Sequence, residues 1–351
     1  MDVVRGHVQT YDWGQIDGLD RWTPATGGPQ AELWFGTHPN GPSIPRDGGE
    51  LTVTMPILTK ILAAARPLSI QIHPPADFAR VQFDAQQSDP TVPDLLPDPY
   101  AKAEILIAIE PFTILEGLRD PATSARILSP LGPVVAVAAD ALRHEDFDTA
   151  IRSVLDIPRS GVGGPARRLP DAMAAAGLPA LDSEVIGEVL DVYPDDPGVF
   201  VAAMLNARTL RPGQGVYVEP GTVHAYVRGR GVEVMTASDN VLRLGLTSKT
   251  VAVDAALGAL SVVGQPHHCD PEESDGVRTY APVGAPFRVD MLEDTSFTAG
   301  TGDARTVVCL EGSVNAGNEV LAPGDAFLLD RHGPDVNLHV RGRAVVARAA
   351  S

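Results

Sequence analysis

Cysteine is almost absent from this chain. Cys269 and Cys309 are the only two, too few for a disulfide framework and without the paired spacing of a thiolate metal site. Both are expected as free thiols in a reducing cytoplasm. The N-terminus, MDVVRGHVQTYDWG, lacks a basic segment followed by an apolar run, and no stretch approaches the ~20 apolar residues of a membrane span. A cytoplasmic protein with no membrane partner is therefore expected. Positive charge is also in short supply: 27 Lys and Arg face 45 Asp and Glu, for a formal net charge of −18. That balance excludes a general binder of nucleic acid or anionic lipid. It leaves room for a local Lys/Arg cluster that holds a small anion.

What is plentiful is turn-forming residues. The 34 Gly and 31 Pro are dispersed between short Val, Leu and Ile runs, which points to a mainly β fold. At 351 residues the chain is long enough for two or three domains.

Residues 216–249, VYVEPGTVHAYVRGRGVEVMTASDNVLRLGLTSK, concentrate the chemistry. His224 follows a Pro220-Gly221 turn and enters an apolar strand. Tyr226, Glu233, Asp239, Arg243 and Lys249 follow within the same stretch. A structural strand rarely carries so many ionisable groups, because burying them without partners is costly. These residues are expected to line a site.

Upstream, residues 68–73 alternate. Ser69, Gln71 and His73 are expected on one face of a strand, with Leu68, Ile70 and Ile72 on the other. Gln71 and His73, two apart, place an amide oxygen and an imidazole nitrogen side by side. Lys102 and Glu104 share a face at the start of another strand. They are either a surface ion pair or a carboxylate ligand beside a substrate-binding Lys. Lys60 stands alone in the apolar run 55–62, as a snorkelling surface group or an anion ligand. Trp13 and Trp34 sit in loop-like contexts, as hydrophobic plugs or as walls of a pocket. Gln71, His73, Glu104 and His224 together make a mixed N/O donor set suited to a catalytic divalent ion with an open position. Without thiolates, the choice among Zn, Mn, Fe and Co stays open.

Residues 116–195 change to helical spacing at 136–142, 147–155 and 183–192, with a flexible Gly/Pro/Arg-rich loop expected at 158–170. Strands are expected to resume at 198–205, and a short helix at 250–262. His267-His268-Cys269 are adjacent loop residues that point apart and make no metal site. In the C-terminal part, Leu321-Ala322-Pro323-Gly324-Asp325-Ala326 echoes Leu210-Arg211-Pro212-Gly213-Gln214-Gly215. The echo implies two related β units, the second lacking a counterpart of His224. The expected organisation is a catalytic β-domain of residues 1–115 with 196–265, a helical insertion of residues 116–195, and a C-terminal β-domain of residues 266–351.

Five segments in order carry a resemblance: residues 11–14, 31–43, 68–74, 102–104, and 224–226 running through Ser238-Asp239-Asn240-Val241-Leu242-Arg243 to Lys249. They resemble the type I mannose-6-phosphate isomerases of the cupin superfamily. The resemblance implies cupin-type jelly-roll β-barrels and a cytoplasmic zinc enzyme of carbohydrate metabolism, on the route to GDP-mannose. It would interconvert mannose 6-phosphate and fructose 6-phosphate through an enediolate. Its partners would be a sugar phosphate and at most a weakly associating second copy. Gln71, His73, Glu104 and His224 match the family's zinc ligands, and Arg243 its catalytic Arg. Lys60, Ser69, Lys102, Tyr226, Glu233, Asp239 and Lys249 match other active-site positions.

On this basis Glu233, Lys102 and Tyr226 join Arg243 as catalytic candidates. Lys60, Ser69, Asp239, Lys249 and Trp13 are substrate-binding candidates. One departure stands out: the family commonly has His-Lys-Pro-Glu where this chain has Ala101-Lys102-Ala103-Glu104. Ring opening would then fall to Lys102, Tyr226 or a bound water. Two other readings use the same scaffold: an isomerase of another aldose or of free mannose, and a non-catalytic sugar-phosphate-binding cupin.

Overall fold

A computed structural model describes residues 1–261 and 264–350. The fold is mainly β, built from two large antiparallel sheets. The first runs His267–Cys269, Gly215–Val218, Glu104–Ala108, His224–Thr236, Ile57–Ala64, Glu32–Phe35, His7–Gln9. Phe112–Leu118, Leu205–Leu210, Gln71–Ile72 and Leu242–Arg243 join it around one end of His224–Thr236. The second runs Glu272–Ser274, Val277–Tyr280, Phe287–Glu293, Val336–Ala349, Arg305–Ala316, Asp325–Leu329, Asp2–Arg5, Ile44–Pro45.

His224–Thr236 organises the first sheet. Its first half pairs with Phe112–Leu118 and with Gln71, and its second half with Ile57–Ala64 and Glu104–Ala108. Between the halves lies Gly229, at φ +134°, where a Cβ would sit 2.6 Å from the Pro111 carbonyl oxygen. Only glycine tolerates that bend and that approach. The bend lets one strand face two sets of neighbours and bring their side chains to one cavity.

Strand alternation sorts the residues. Ile57, Ile61, Ile105, Val232 and Val234 face the second sheet and share one core with Val289, Val308, Leu328 and Val345. Burying each such side chain contributes about 1.5–3 kcal/mol, so the two sheets form one body. The intervening positions, among them Lys60, Glu104 and Glu233, point to the opposite face.

The segment between Phe112–Leu118 and Leu205–Leu210, which pair with each other, is helical. Asp120 and Asp146 cap two of its helices by accepting from the Thr123 and Thr149 amides. Its apolar faces pack with Ile70, Ile72, Val223, Ala225, Leu242 and Leu244, backing the strands that carry the candidate ligands. Two local expectations are corrected. Within 158–170 the chain forms helices Arg159–Ala166 and Leu169–Ala175, because Val162, Ala166 and Leu169 are fully buried in this core and outweigh the glycines. Gly198–Ala202 is a helix and not a strand. Its apolar run is buried on all sides, a pattern that periodicity cannot assign. The helix expected at 250–262 spans Val253–Ala259, and Val262 lies outside the described residues.

The two echoing segments form the same turn. Gly213 and Gly324 adopt φ +84° and +87°, and each is followed by a strand. Gln214 and Asp325 cap their turns alike, accepting from the Arg211 and Ala322 amides at 2.9 and 3.2 Å. Strands Asp2–Arg5 and Ile44–Pro45 join the C-terminal sheet, where Asp2–Arg5 covers Asp325–Leu329. Among the described residues no helix is long and apolar enough to cross a membrane.

Candidate active site

A cavity of about 730 Å³ opens on the inner face of the first sheet. Three groups converge beneath its floor: Glu104 and His224 from two strands, and His73 from just past strand Gln71–Ile72. The ligand atoms of His73, Glu104 and His224 lie within 4.8 Å of one another, and all three residues are buried. His73 Nε2 lies 3.0 Å from Glu104 Oε2, and His224 Nε2 lies 3.2 Å from Glu104 Oε1. Gln71 lines the same cavity and is the ladder partner of both His224 and Arg243. Three of the four expected ligands thus meet, with Gln71 on the neighbouring strand.

The imidazoles are aimed by their other nitrogens. His73 Nδ1 faces the Asn240 carbonyl at 3.0 Å, and His224 Nδ1 faces the Thr222 carbonyl at 3.1 Å. A carbonyl accepts only from N–H, so each Nδ1 carries the proton and each Nε2 turns a lone pair to the cluster. Burial, helped by the Lys102 ammonium, lowers His73 to about 4, which keeps it neutral. Burial would raise Glu104, but with the Lys102 ammonium beside it the carboxyl stays well below the usual range. Two neutral imidazoles and one carboxylate beside an amide are a donor set that fits a divalent ion.

Lys102 Nζ bonds Glu104 Oε2 at 2.7 Å and His73 Nε2 at 2.9 Å. The pair is buried and therefore no surface ion pair. Tyr226 donates to Glu104 Oε1 at 2.8 Å. Burial and the nearby carboxylates push its phenol well above the ordinary value.

A second cluster forms the adjoining wall. Lys60 lies opposite both Glu233 and Trp34 across the ladder. Its Nζ contacts Glu233 Oε2 at 2.8 Å and Glu32 Oε2 at 3.8 Å, and lies 5.1 Å from the centroid of the Trp34 ring. Burial acts to lower the Lys60 ammonium, but the two carboxylates overcome it and raise it. Burial raises Glu32, which also accepts from Trp34 Nε1 at 2.6 Å. Lys60 is therefore not a snorkelling surface group.

The remaining candidates line the cavity too. Ser69 donates no bond to Gln71 but accepts from its amide at 3.3 Å. Trp13 stacks on Tyr11 at 5.7 Å between centroids. Asp239 lies 3.4 Å from His38 Nε2 and accepts from Asn40. Arg243 is part-buried, which lowers its guanidinium, and Lys249 is exposed at the mouth.

Sequence reading missed Glu32, Asn40, Arg159 and Asp196, which also line the cavity. Glu32 and Trp34 share one strand face, and that alternation was the available signal. Arg159 carries no such signal, since it comes from the helical segment. Leu68 departs from its expected side and packs with Leu62 and Tyr226 instead of with Ile70 and Ile72. His267-His268-Cys269, expected as loop residues, form a strand paired with Gly215–Val218, and their side chains point apart: His267 reaches Glu219 and His268 reaches Glu116.

Comparison with known proteins gives a consistent result. Residues 46–121 match the family described as phosphomannose isomerase type I, catalytic domain. The mannose-6-phosphate isomerase of Salmonella typhimurium is 28% identical, covering 98% of both chains. A probable mannose-6-phosphate isomerase of Caenorhabditis elegans is 31% identical over 78% of this chain and 70% of its own length. The crystal structure of the Salmonella typhimurium enzyme bound to its substrate, fructose 6-phosphate, and zinc superposes with a TM-score of 0.85. It does so at 25% identity over 100% of both chains.

Proposed function

The chain belongs to the type I phosphomannose isomerase family, and from that premise we propose roles for its cavity residues in the family's reaction. The protein is a metal-dependent aldose–ketose isomerase that interconverts mannose 6-phosphate and fructose 6-phosphate, with zinc as its cofactor. The observation that carries the reading is the meeting of His73, Glu104 and His224 from three segments far apart in the chain, with both imidazole Nε2 atoms aimed inward.

Gln71, His73, Glu104 and His224 would hold the ion, which supplies a Lewis acid for the substrate oxygens. Isomerisation moves one proton between neighbouring carbons. Glu233 takes it from C2 of the aldose and returns it to C1, while the C1 oxygen gains a proton and the C2 hydroxyl loses one. A carboxylate suits this shuttle when it is held firmly and kept from water; Lys60 at 2.8 Å holds Glu233, and burial shields it. Arg243 donates to the enediolate oxygens as negative charge develops there.

Lys102 and Tyr226, both bonded to Glu104, are placed to pass protons during ring opening in place of the His absent at Ala101. Lys249 at the mouth and Ser69 on the wall receive the phosphate. Lys60 is a weaker phosphate ligand than sequence reading held, because two carboxylates already engage it. Asp239 and Trp13 border the sugar.

Metal analysis together with a coupled assay for fructose 6-phosphate tests this reading. About one zinc per chain and turnover of mannose 6-phosphate well above that of mannose are expected. Binding of sugar phosphate without its conversion would overturn it.

A further inference from the structure

Asn240 is fully buried beside the candidate metal centre but points its side chain away from the cavity. Its amide Nδ2 donates to the Tyr100 carbonyl at 2.7 Å, to the Asp98 carbonyl at 2.8 Å and to Asp98 Oδ1 at 3.0 Å. Its backbone carbonyl meanwhile receives His73 Nδ1 at 3.0 Å. Asp98 is tied to the same loop twice more, accepting from the Ser238 hydroxyl at 3.0 Å and the Asp239 amide at 3.3 Å. Two residues beyond Tyr100 lie Lys102 and then Glu104.

We propose that Asn240 is a positioning residue for the metal centre: one amide side chain fixes the carbonyl that orients His73 and clamps the segment leading into Lys102 and Glu104. The proposal rests on the metal-centre reading above. Its physical basis is direct. A histidine ligand is held in tautomer and direction by the acceptor on its far nitrogen, and loosening such an acceptor commonly costs ~10–100-fold in metal affinity. Here the acceptor is a peptide carbonyl, which is only as rigid as its own peptide. The side chain of Asn240 supplies that rigidity and links two of the ligands through a single residue. The same clamp sets the backbone of Asp239, which faces the cavity next door.

The test compares wild type with Asn240→Ala, Asn240→Asp and Ser238→Ala. Thr279→Val serves as a stability control, since Thr279 is buried in the C-terminal sheet and bonds Asp290 at 2.6 Å. Zinc affinity is read by competition with a chromophoric chelator, and coordination geometry by the visible spectrum of the cobalt-substituted protein. Asn240→Ala should weaken zinc about tenfold and alter the cobalt spectrum. Asn240→Asp, which turns an oxygen toward three acceptor oxygens, should weaken it more. Ser238→Ala keeps Asn240 and removes one support of Asp98, so it should weaken zinc measurably but less than Asn240→Ala, and the question stays answerable if the Asn240 variants do not fold. Thr279→Val should lower the thermal midpoint and leave zinc affinity unchanged.

Folded Asn240→Ala with wild-type zinc affinity and cobalt spectrum would overturn the proposal. So would a loss of affinity in Thr279→Val equal to that in Asn240→Ala, because the effect would then be general destabilisation. Wild-type protein that takes up no zinc is a different failure, and it would overturn the metal centre itself.

Discussion

Glu233 and Glu32 flank one ammonium, and their fates differ. Glu233 is 2.8 Å from Lys60 and is assigned the proton transfer, so Glu233→Gln should lower kcat by ~10²–10⁴-fold. Zinc content, measured by atomic absorption, should stay at the wild-type level, because Glu233 lies outside the donor cluster. Glu32 is raised from the usual carboxylate value of 4.5 by burial. In the folded state it holds its proton more tightly than in the unfolded chain, so its contribution to stability is complete below pH 4.5 and is lost as pH rises through the folded value. Glu32→Gln, which cannot ionise, should therefore gain on wild type as pH is raised above 4.5. Urea midpoints taken across that range check the sign. At this scale the sequence was largely legible. His224, Tyr226 and Glu233 stood out because ionisable groups in an apolar strand need partners, while Gln71 with His73 and Lys102 with Glu104 showed only as pairs on one strand face. Glu32 did not, because a single carboxylate near a tryptophan looks like ordinary surface.

Among the elements, the helical segment does more than cover the sheet. Asp196 at its end is buried, and it accepts from the amides of Gly198 at 2.8 Å, Leu246 at 3.2 Å and Thr247 at 3.3 Å. It thereby shapes the turn that leads to Lys249. Gly198 and Gly245 cross so closely that a Cβ on Gly245 would lie 2.5 Å from the Gly198 Cα. Asp196→Ala frees two buried N–H groups, those of Gly198 and Leu246, each of which costs about 1–3 kcal/mol when unpaired, and the part-buried one of Thr247. The expected outcome is a several-fold higher KM for mannose 6-phosphate with kcat and zinc content kept, read by steady-state kinetics. Equal losses in kcat and zinc would contradict a role confined to this turn. Helix and strand identity was less readable here than ligand identity. Residues 198–202 are apolar all round, and residues 159–166 are glycine-rich, so burial from distant partners decided both.

For the whole molecule, the shared core between the sheets makes the C-terminal part a structural half and not an appendage. Ending the chain at residue 265 would strip Val289, Val308, Leu328 and Val345 from Ile57, Ile61, Ile105 and Val232. That exposes an apolar face far larger than a soluble monomer tolerates. The shortened protein should aggregate on expression and show no isomerase activity, as size-exclusion chromatography and the coupled assay would report. The echo between the two Pro-Gly turns made the second β unit visible in sequence. The joining of the sheets was not visible, since alternation says which face is apolar but not what lies against it. Strand Asp2–Arg5 gives that joining a direction in time. On the ribosome it is made long before its partner, Asp325–Leu329. Until then only Ile44–Pro45 is there to pair with it. Translation must therefore pass Leu329 before Asp2–Arg5 can be locked in, and a nascent chain stalled short of it carries an open strand edge for chaperones to shield.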